Sequence, residues 1–236
     1  MPLSPEAPDL ARRVFSPIAR DYDAPALVLS LFRYRAWRRF LLSRLDLPPG
    51  ARVLDMATGT GAIALDLLQR PDIEVIGGDV TQGMLRGGQR RADASGVDLQ
   101  LVECTAEAPP FTDAAFDAIT FAYLLRYVRD VPDTLRALGR LLKPGGMIAS
   151  LDFAVPRGVW YPLWRLYTDT VLPAGGLLFS RDWQRVGRFL GPSIREFDRR
   201  WPEHALLAAW RDAGFSGVRS RRLTLGGAMA IWGTKS

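Results

Sequence analysis

Beyond Pro48-Pro49-Gly50, short apolar runs alternate with longer segments in which apolar positions recur every three or four residues. The short runs predict strands at 53–54, 74–78, 99–102, 116–121 and 147–153, and the helical-period segments predict helices at 61–69, 81–94 and about 132–142. A further helix is expected at 203–213, with Gly214 as its C′ residue. Two last strands follow at 217–224 and 228–233, with Gly226-Gly227 as a tight hairpin turn. Strands alternating with helices make right-handed crossovers and a parallel sheet covered on both faces. The predicted fold is therefore α/β: a mostly parallel seven-stranded sheet with an antiparallel C-terminal hairpin strand and helices on both faces.

Residues 1–48 also read as helical. Leu27-Val28-Leu29, Leu31-Phe32, Trp37, Phe40-Leu41-Leu42 and Leu45 recur at near-helical spacing, with Arg33, Arg35, Arg38, Arg39 and Arg44 between them. The segment 155–200 interrupts the strand–helix alternation just after Phe153 and carries Trp160, Tyr161, Trp164, Tyr167, Trp183 and Phe189 among eight arginines. An insertion there overhangs the carboxyl ends of the strands, where open α/β sheets bind ligands. It reads either as an ordinary packed helical pair or as a lid whose aromatic face forms an apolar substrate pocket.

Composition narrows the class. With 236 residues the chain can bury one sizeable core, or at most two small domains. Hydrophobic content of 48% and charge of 24% are those of a soluble globular protein. No apolar run reaches the roughly eighteen residues of a membrane span. The opening MPLSPEAPDLARRVF lacks the apolar stretch of a signal peptide, so a cytoplasmic protein is expected. Cys104 is the one cysteine, which excludes an internal disulfide and a Cys-rich metal site; it reads as a small buried hydrophobe. His204 is the one histidine, so a His-rich metal site is excluded as well. The net charge of +6 is spread over several segments and does not by itself indicate nucleic acid or membrane.

The candidate chemistry starts at DMATGTGAIA, Asp55 to Ala64. Gly59 to Ala64 fits the dinucleotide fingerprint G-x-G-x-x-G/A. In the dinucleotide fold the strand runs almost directly into the first glycine. Here Asp55-Met56-Ala57-Thr58 stand between Leu54 and Gly59, which sets the Asp55 carboxylate at the strand tip under the loop. A carboxylate there would repel a pyrophosphate and favour a sulfonium with an α-ammonium. Gly59 and Gly61 let backbone approach a ligand closely. Asp79, eighteen residues beyond Gly61 at the end of the second strand, suits both ribose hydroxyls. Asp79 fits NAD and S-adenosylmethionine equally; Asp55 decides for S-adenosylmethionine. The core is thus expected to be Rossmann-like.

VLDMATGTG, GGDVTQGML, TAEAPPF, FDAITFAYLLRYVRD and LLKPGG, over about 50–155, resemble the motifs of class I S-adenosylmethionine-dependent methyltransferases. VFSPIARDYD (14–23), the Trp37-Arg38-Arg39-Phe40 cluster, FLGPSIREF (189–197), AWRDAGF (209–215) and LTLGGAMAIWGTK (223–235) narrow the resemblance to the menaquinone/ubiquinone biosynthesis C-methyltransferase family. That match spans nearly the whole chain. It implies a single methyltransferase domain over 1–236: a helical cover (1–48), a nucleotide-binding core (50–153), a helical substrate lid (155–200), and a C-terminal helix and hairpin (201–236).

By this resemblance Asp55, Gly59 and Gly61 hold the methionine part of the cofactor, Asp79 the ribose, and Met84 packs on one adenine face. Ala106 sets its backbone near the adenine edge, and Tyr22 resembles the tyrosine that closes over the cofactor. Thr58, Val80, Thr105 and Glu107 complete the expected cofactor-binding set. Four positions depart from the family pattern: Thr105 for an Asn or Asp, Tyr127 for the Asn of F-G-L-R-N, Asp152 for a Glu, and Val155 for a Lys. Three of them surround the acceptor, so they touch substrate identity more than cofactor.

Methyl transfer from a sulfonium is an in-line displacement in which positioning supplies much of the catalysis. A hydroquinone ring carbon becomes nucleophilic as its phenolate. Arg126 is the expected stabiliser of that oxyanion, and Tyr127 and Asp152 are candidates for passing the proton to water. The expected activity is C-methylation of a prenylated quinol ring, with S-adenosyl-L-homocysteine as product. The runner-up is a natural-product O-, N- or C-methyltransferase for a small aromatic or polyketide. A nucleic-acid methyltransferase is disfavoured: Ala108-Pro109-Pro110-Phe111 lacks the amide or acid that holds a flipped base, and no Cys sits in a catalytic motif. A non-enzymatic cofactor-binding module is disfavoured by the intact motifs and the aromatic lid. The partners expected are an apolar aromatic small molecule, no metal and no nucleic acid. A tailed acceptor would bring the protein to the inner membrane face as a peripheral protein, and a homodimer stays open.

Overall fold

The computed structural model describes residues 7–70 and 72–236. Its N-terminal part is helical: α1 (Ala7–Phe15), a 3-10 turn (Ser16–Asp21), α2 (Asp23–Leu29) and α3 (Arg33–Leu42). The core then alternates as β1 (Arg52–Met56), α4 (Ala62–Leu67), β2 (Glu74–Asp79), α5 (Gln82–Ser95), β3 (Gln100–Glu103), β4 (Phe116–Ala122), α6 (Val131–Leu141) and β5 (Leu142–Phe153). The insertion is helical: α7 (Trp160–Leu166), a π-helical stretch (Tyr167–Val171), α8 (Leu172–Leu177) and α9 (Arg181–Arg200). The chain ends with α10 (Glu203–Asp212), β6 (Phe215–Leu223) and β7 (Ala228–Lys235).

The seven strands form one sheet in the order β3-β2-β1-β4-β5-β7-β6. β1 to β5 pair in parallel and β7 is antiparallel to β5 and β6, as the alternation of short apolar runs and helical segments predicts. The chain leaves β1 for β2 and β3 on one side and returns to β4 on the other. This reversal opens a crevice above β1 and β4, the place where such sheets take ligands. Two hydrophobic layers cover the faces. One packs Phe121, Leu138 and Trp210 from β4, α6 and α10; the other packs Trp37, Leu41 and Leu67 from α3 and α4. A smaller cluster of Ile18, Trp183 and Val186 joins the N-terminal cover to α9.

Three boundaries differ from the pattern. Asp55, expected at a strand tip, is inside β1 and pairs with Gly77 and Thr120 on its two neighbours. β5 starts at Leu142, because Leu142 already pairs with Phe116 before the register shift near Phe116 and Ala118. The C-terminal hairpin is not closed by a tight Gly226-Gly227 turn: Leu223 pairs with Ala228 and a loop of 224–227 lies between them. Thr224 holds this loop against the helical cover, since its Oγ1 accepts from Trp37 Nε1 at 2.7 Å.

Candidate active site

At the carboxyl ends of β1, β2 and β4 the backbone turns sharply. Ala57, Gly59 and Gly61 all have positive φ, at 55°, 57° and 75°. The loop is held from below by two buried carboxylates. Asp55, 1% exposed, accepts from Thr58 Oγ1 and Thr120 Oγ1, each at 2.7 Å. Burial pushes its carboxyl up to about 6, with the two hydroxyl donors opposing the shift. Asp79 accepts from the Gly59 N–H and the Thr81 N–H, each at 2.8 Å. One carboxylate thus ties the glycine loop to the start of α5. Burial raises Asp79 as well, against the pull of those amides.

Above them lies a cavity of about 110 Å³. Tyr22, Asp55, Thr58, Gly59, Asp79, Val80, Met84, Thr105, Ala106 and Glu107, all expected from the sequence, line it. Gly61 does not. It is the N-cap of α4, and a Cβ there would meet Leu99 Cδ2 at 3.1 Å. Its positive φ and its close packing against Leu99, just before β3, each call for a glycine there. Cys104 is half-buried and lines the same cavity, with its thiol pushed up to about 11 by burial and then Asp79. His204 is exposed on α10, away from the cavity lining.

The N-terminal cover roofs the cavity through contacts that no local motif announces. Asp23 Oδ1 accepts from Thr60 Oγ1 at 2.7 Å and from Arg91 Nη1 at 3.0 Å. Arg12 Nε donates to the Val80 carbonyl at 3.1 Å. Between these ties Tyr22 stacks on Trp183, with centroids 5.7 Å apart, and Phe15 meets Tyr127 edge-on at 5.4 Å.

A second cavity, of about 390 Å³, lies beside the first. Its walls come from α2, α3, α7, α9 and the 224–227 loop, and Trp37, Phe153, Trp160, Trp164 and Trp183 make them strongly aromatic. The insertion therefore contributes α7 and α9 to the walls of an apolar pocket. Phe15, Tyr22, Tyr34 and Tyr123 line both cavities and make their common wall. Among the described residues the charged side chains lining the second cavity are Arg33 and Arg126.

Arg126 sits on the 3-10 turn Leu125–Tyr127 just beyond β4. Its Nε pairs with Asp152 Oδ1 at 2.9 Å, and its guanidinium lies 5.2 Å over the Tyr127 ring and 5.5 Å over Phe153. Nη1 is buried and has no protein partner. Burial is the largest influence and works against the Arg126 charge, and Asp152 together with Tyr127 and Tyr123 outweighs it, so its pKa moves further up. Asp152 itself is raised by burial, with Arg126 opposing. The three expected catalytic residues are thus separated in place: Arg126 lines the larger, apolar cavity, Tyr127 lines the smaller one, and Asp152 lines neither and engages Arg126. The Tyr127 hydroxyl is buried and makes no well-aligned hydrogen bond; burial raises its pKa, with the neighbouring Arg126 opposing.

The lining of the smaller cavity tests which nucleotide fits. It has three carboxylates, Asp55, Asp79 and Glu107, and no Lys, Arg or His among the described residues. A pyrophosphate would meet negative charge with no counter-charge. A ligand with a cationic centre, hydroxyl donors and a flat apolar base fits: Met84, Ala106, Leu124 and Val128 supply the apolar surface.

The model of the ubiE/COQ5 methyltransferase family matches residues 6–235. The chain belongs to this family. A ubiquinone/menaquinone biosynthesis C-methyltransferase UbiE of Xanthomonas oryzae pv. oryzae is 37% identical over 94% of this chain and 88% of its own length. One from Stenotrophomonas maltophilia is 38% identical over the same shares. Among solved structures, an S-adenosylmethionine-dependent methyltransferase of Thermotoga maritima described as a possible histamine N-methyltransferase superposes with a TM-score of 0.65, at 20% identity over 95% of this chain and 99% of that one. A Haemonchus contortus phosphoethanolamine N-methyltransferase bound to S-adenosylhomocysteine gives 0.61, at 13% identity over 92% of this chain and 59% of that one. These structural likenesses establish the Rossmann-like fold. The protein is an S-adenosylmethionine-dependent methyltransferase, and S-adenosylmethionine is its methyl donor.

Proposed function

We propose that this methyltransferase C-methylates the ring of a prenylated quinol, the reaction type of quinone biosynthesis. The observation that carries the reading is the buried guanidinium of Arg126, with Nη1 unpaired, in the wall of a largely apolar, aromatic cavity whose other charged lining residue is the exposed Arg33, beside the cofactor cavity. A cavity of that character suits an aromatic ring with a hydrocarbon tail, and the buried, ion-paired guanidinium suits one phenolate oxygen.

The cofactor supplies an electrophilic methyl group: the bond from sulfur to methyl breaks, a bond to the ring carbon forms, and the ring proton leaves. The protein's part is placement and charge. Asp55 and Asp79 hold the donor side, and Met84 and Ala106 hold its base. Tyr22, Tyr34 and Tyr123, in the shared wall, set the distance between the two reactants. Arg126 raises the share of phenolate at the ring and Asp152 fixes the guanidinium plane. Tyr127 is a neutral phenol, since burial raises its pKa, so it serves only as a relay: its oxygen accepts the ring proton as its own hydroxyl proton passes to water. The tail requires access to a bilayer, and no helix among the described residues is long and apolar enough to cross one. Peripheral contact from the cytoplasmic side meets that requirement.

The test is mass spectrometry of products after incubation with S-adenosylmethionine and a reduced demethylmenaquinone analogue. One added methyl on a ring carbon is the expected result. Bound cofactor with no methylated quinol in either this reaction or a methyl-deficient lipid extract would remove the quinol reading.

A further inference from the structure

The larger cavity opens on a rim of exposed apolar side chains drawn from three separate parts of the chain. Leu31, Leu163 and Leu225 line the cavity and are still 62%, 59% and 60% exposed. Trp160 stands with them at the same mouth. Phe32 follows Leu31 in sequence, and Val159, Leu163 and Leu166 fall on one helical face at i, i+4 and i+7.

Two of the three parts hold this exposure against backbone preference. Leu31 and Phe32 have φ of 50° and 59°, and Thr224 and Leu225 have 45° and 57°. Consecutive non-glycine residues in the left-handed region are sparsely populated and persist where the surroundings demand them. Here both loops use that conformation at one cavity mouth, and each presents an apolar side chain outward. Arg33, Arg35, Arg157 and Arg165 are exposed beside these elements. An apolar rim with a Trp and flanking arginines matches the interface of an anionic bilayer: indole at headgroup level, guanidinium on phosphate. A protein partner on this rim would close the mouth, whereas lipid is continuous with an apolar cavity.

We propose that this mouth is a lipid-docking portal: the 31–32 loop, the 159–166 helix face and the 224–225 loop rest in the surface of an anionic bilayer, and the acceptor's hydrocarbon tail passes between them into the cavity. The portal rests on the quinol reading for its cargo, while docking on lipid is measured without any methyl transfer.

The experiment uses the full chain with Phe32, Val159 and Leu166 all replaced by Asp. None of the three lines the cavity. Asp tolerates the left-handed φ at position 32, and position 159, at the start of α7, is 83% exposed and leaves room for it. Leu178→Asp, at the separate exposed turn after α8, is the control, since Leu178 is 87% exposed and not part of the mouth. Co-sedimentation is read on phosphatidylglycerol–phosphatidylcholine vesicles and on phosphatidylcholine alone. Turnover is read on a water-soluble short-tail quinol and on a long-tail quinol held in vesicles.

The expected result is salt-sensitive binding of the wild type to the anionic vesicles, weakened roughly tenfold or more in the triple variant and unchanged in Leu178→Asp. Long-tail turnover falls in step with binding and short-tail turnover stays near wild type. Wild-type protein that does not sediment, a triple variant that sediments like wild type, or loss of binding in Leu178→Asp would each overturn the portal. So would a lipid-free dimer that the triple variant dissolves, which would give the face to a second copy. If vesicle binding behaves as expected and neither quinol is methylated, the acceptor reading fails and the docking face stands.

Discussion

Arg126 and Asp152 form a buried ion pair at 2.9 Å, with side chains 1% and 14% exposed, and the pair leaves Arg126 Nη1 without a protein partner. A guanidinium held this way presents a fixed, dry charge to the apolar cavity, where a hydrogen bond to a developing oxyanion is strong. Arg126→Ala is expected to lower kcat by about 10²–10³-fold, the usual effect of deleting one such donor, with the S-adenosylmethionine Kd within about twofold of wild type, since Arg126 does not line the cofactor cavity. The substitution also leaves Asp152 buried and unpaired at a cost of about 3–5 kcal/mol, so the melting temperature must be followed in parallel. Asp152→Asn separates the two effects: it keeps shape and removes charge, and should retain cofactor binding while losing less turnover than Arg126→Ala. Equal losses of kcat and cofactor affinity would make Arg126 structural.

One fastening of the cover over the cofactor cavity is Asp23, which takes hydrogen bonds from Thr60 and Arg91. The Asp23–Arg91 pair is 46% and 36% exposed, so solvent screening leaves it little of its own value. The Thr60 bond to an ionised acceptor is the larger part, about 1 kcal/mol after allowing for exposure. Asp23→Ala should therefore weaken S-adenosylmethionine roughly fivefold, and stopped-flow displacement should find the change in the dissociation rate. A variant with an unchanged dissociation rate would mean that the cover is held by the Tyr22–Trp183 stack and the apolar contacts of Ile18 instead.

The central sheet and the glycine loop are legible in the sequence because their determinants are local. Asp55, Gly59 and Asp79 stand at fixed offsets from strand ends, and strands read as apolar runs. The sequence points to a tight hairpin turn because Gly226-Gly227 is a strong local signal. The loop is set instead by Thr224, which Trp37 holds from 187 residues away. The cavity wall shows the same limit. Phe15, Tyr34, Tyr123 and Trp183 are ordinary aromatics in their own segments, and only the packing of α1, α3 and α9 over β4 brings them together. Arg126 stood out as the charged member of its motif, but no sequence offset shows that Asp152 is its partner rather than a separate base.

The two loop glycines make opposite demands. Gly59 has a φ of 57° and open space where a Cβ would go; Gly61 has a φ of 75° and Leu99 Cδ2 at 3.1 Å. Gly59→Ala should cost only the backbone strain, about 1–2 kcal/mol, and weaken the cofactor where the new methyl meets it. Gly61→Ala adds steric conflict with Leu99, just before β3, and should lower the melting temperature more while changing cofactor affinity less. Isothermal titration and thermal unfolding of both variants check this. Cofactor affinity that falls further in Gly61→Ala than in Gly59→Ala would return Gly61 to the ligand side of the loop.

Asp55 gives the cofactor site a pH dependence whose sign follows from burial. Its carboxyl titrates near 6 in the cofactor-free protein, against 3.8 for an ordinary aspartate. The folded state therefore holds this proton more tightly than the unfolded state does. Above about pH 6 the buried carboxylate is ionised and costs the fold about 3 kcal/mol, and the cost disappears as pH falls from 6 toward 4. A cationic ligand beside Asp55 needs the ionised form, so binding expels the proton. S-adenosylmethionine affinity should be flat above about pH 7 and weaken below 6 by up to about tenfold per unit. Asp55→Asn should remove both effects: a cofactor-free protein that is more stable than wild type at pH 7, and a weaker affinity with no slope between pH 5 and 7. Calorimetric titration across that range, with proton release read from buffers of different ionisation enthalpy, measures each. An undiminished slope in Asp55→Asn would assign the titration to Asp79, the other buried carboxylate under the loop.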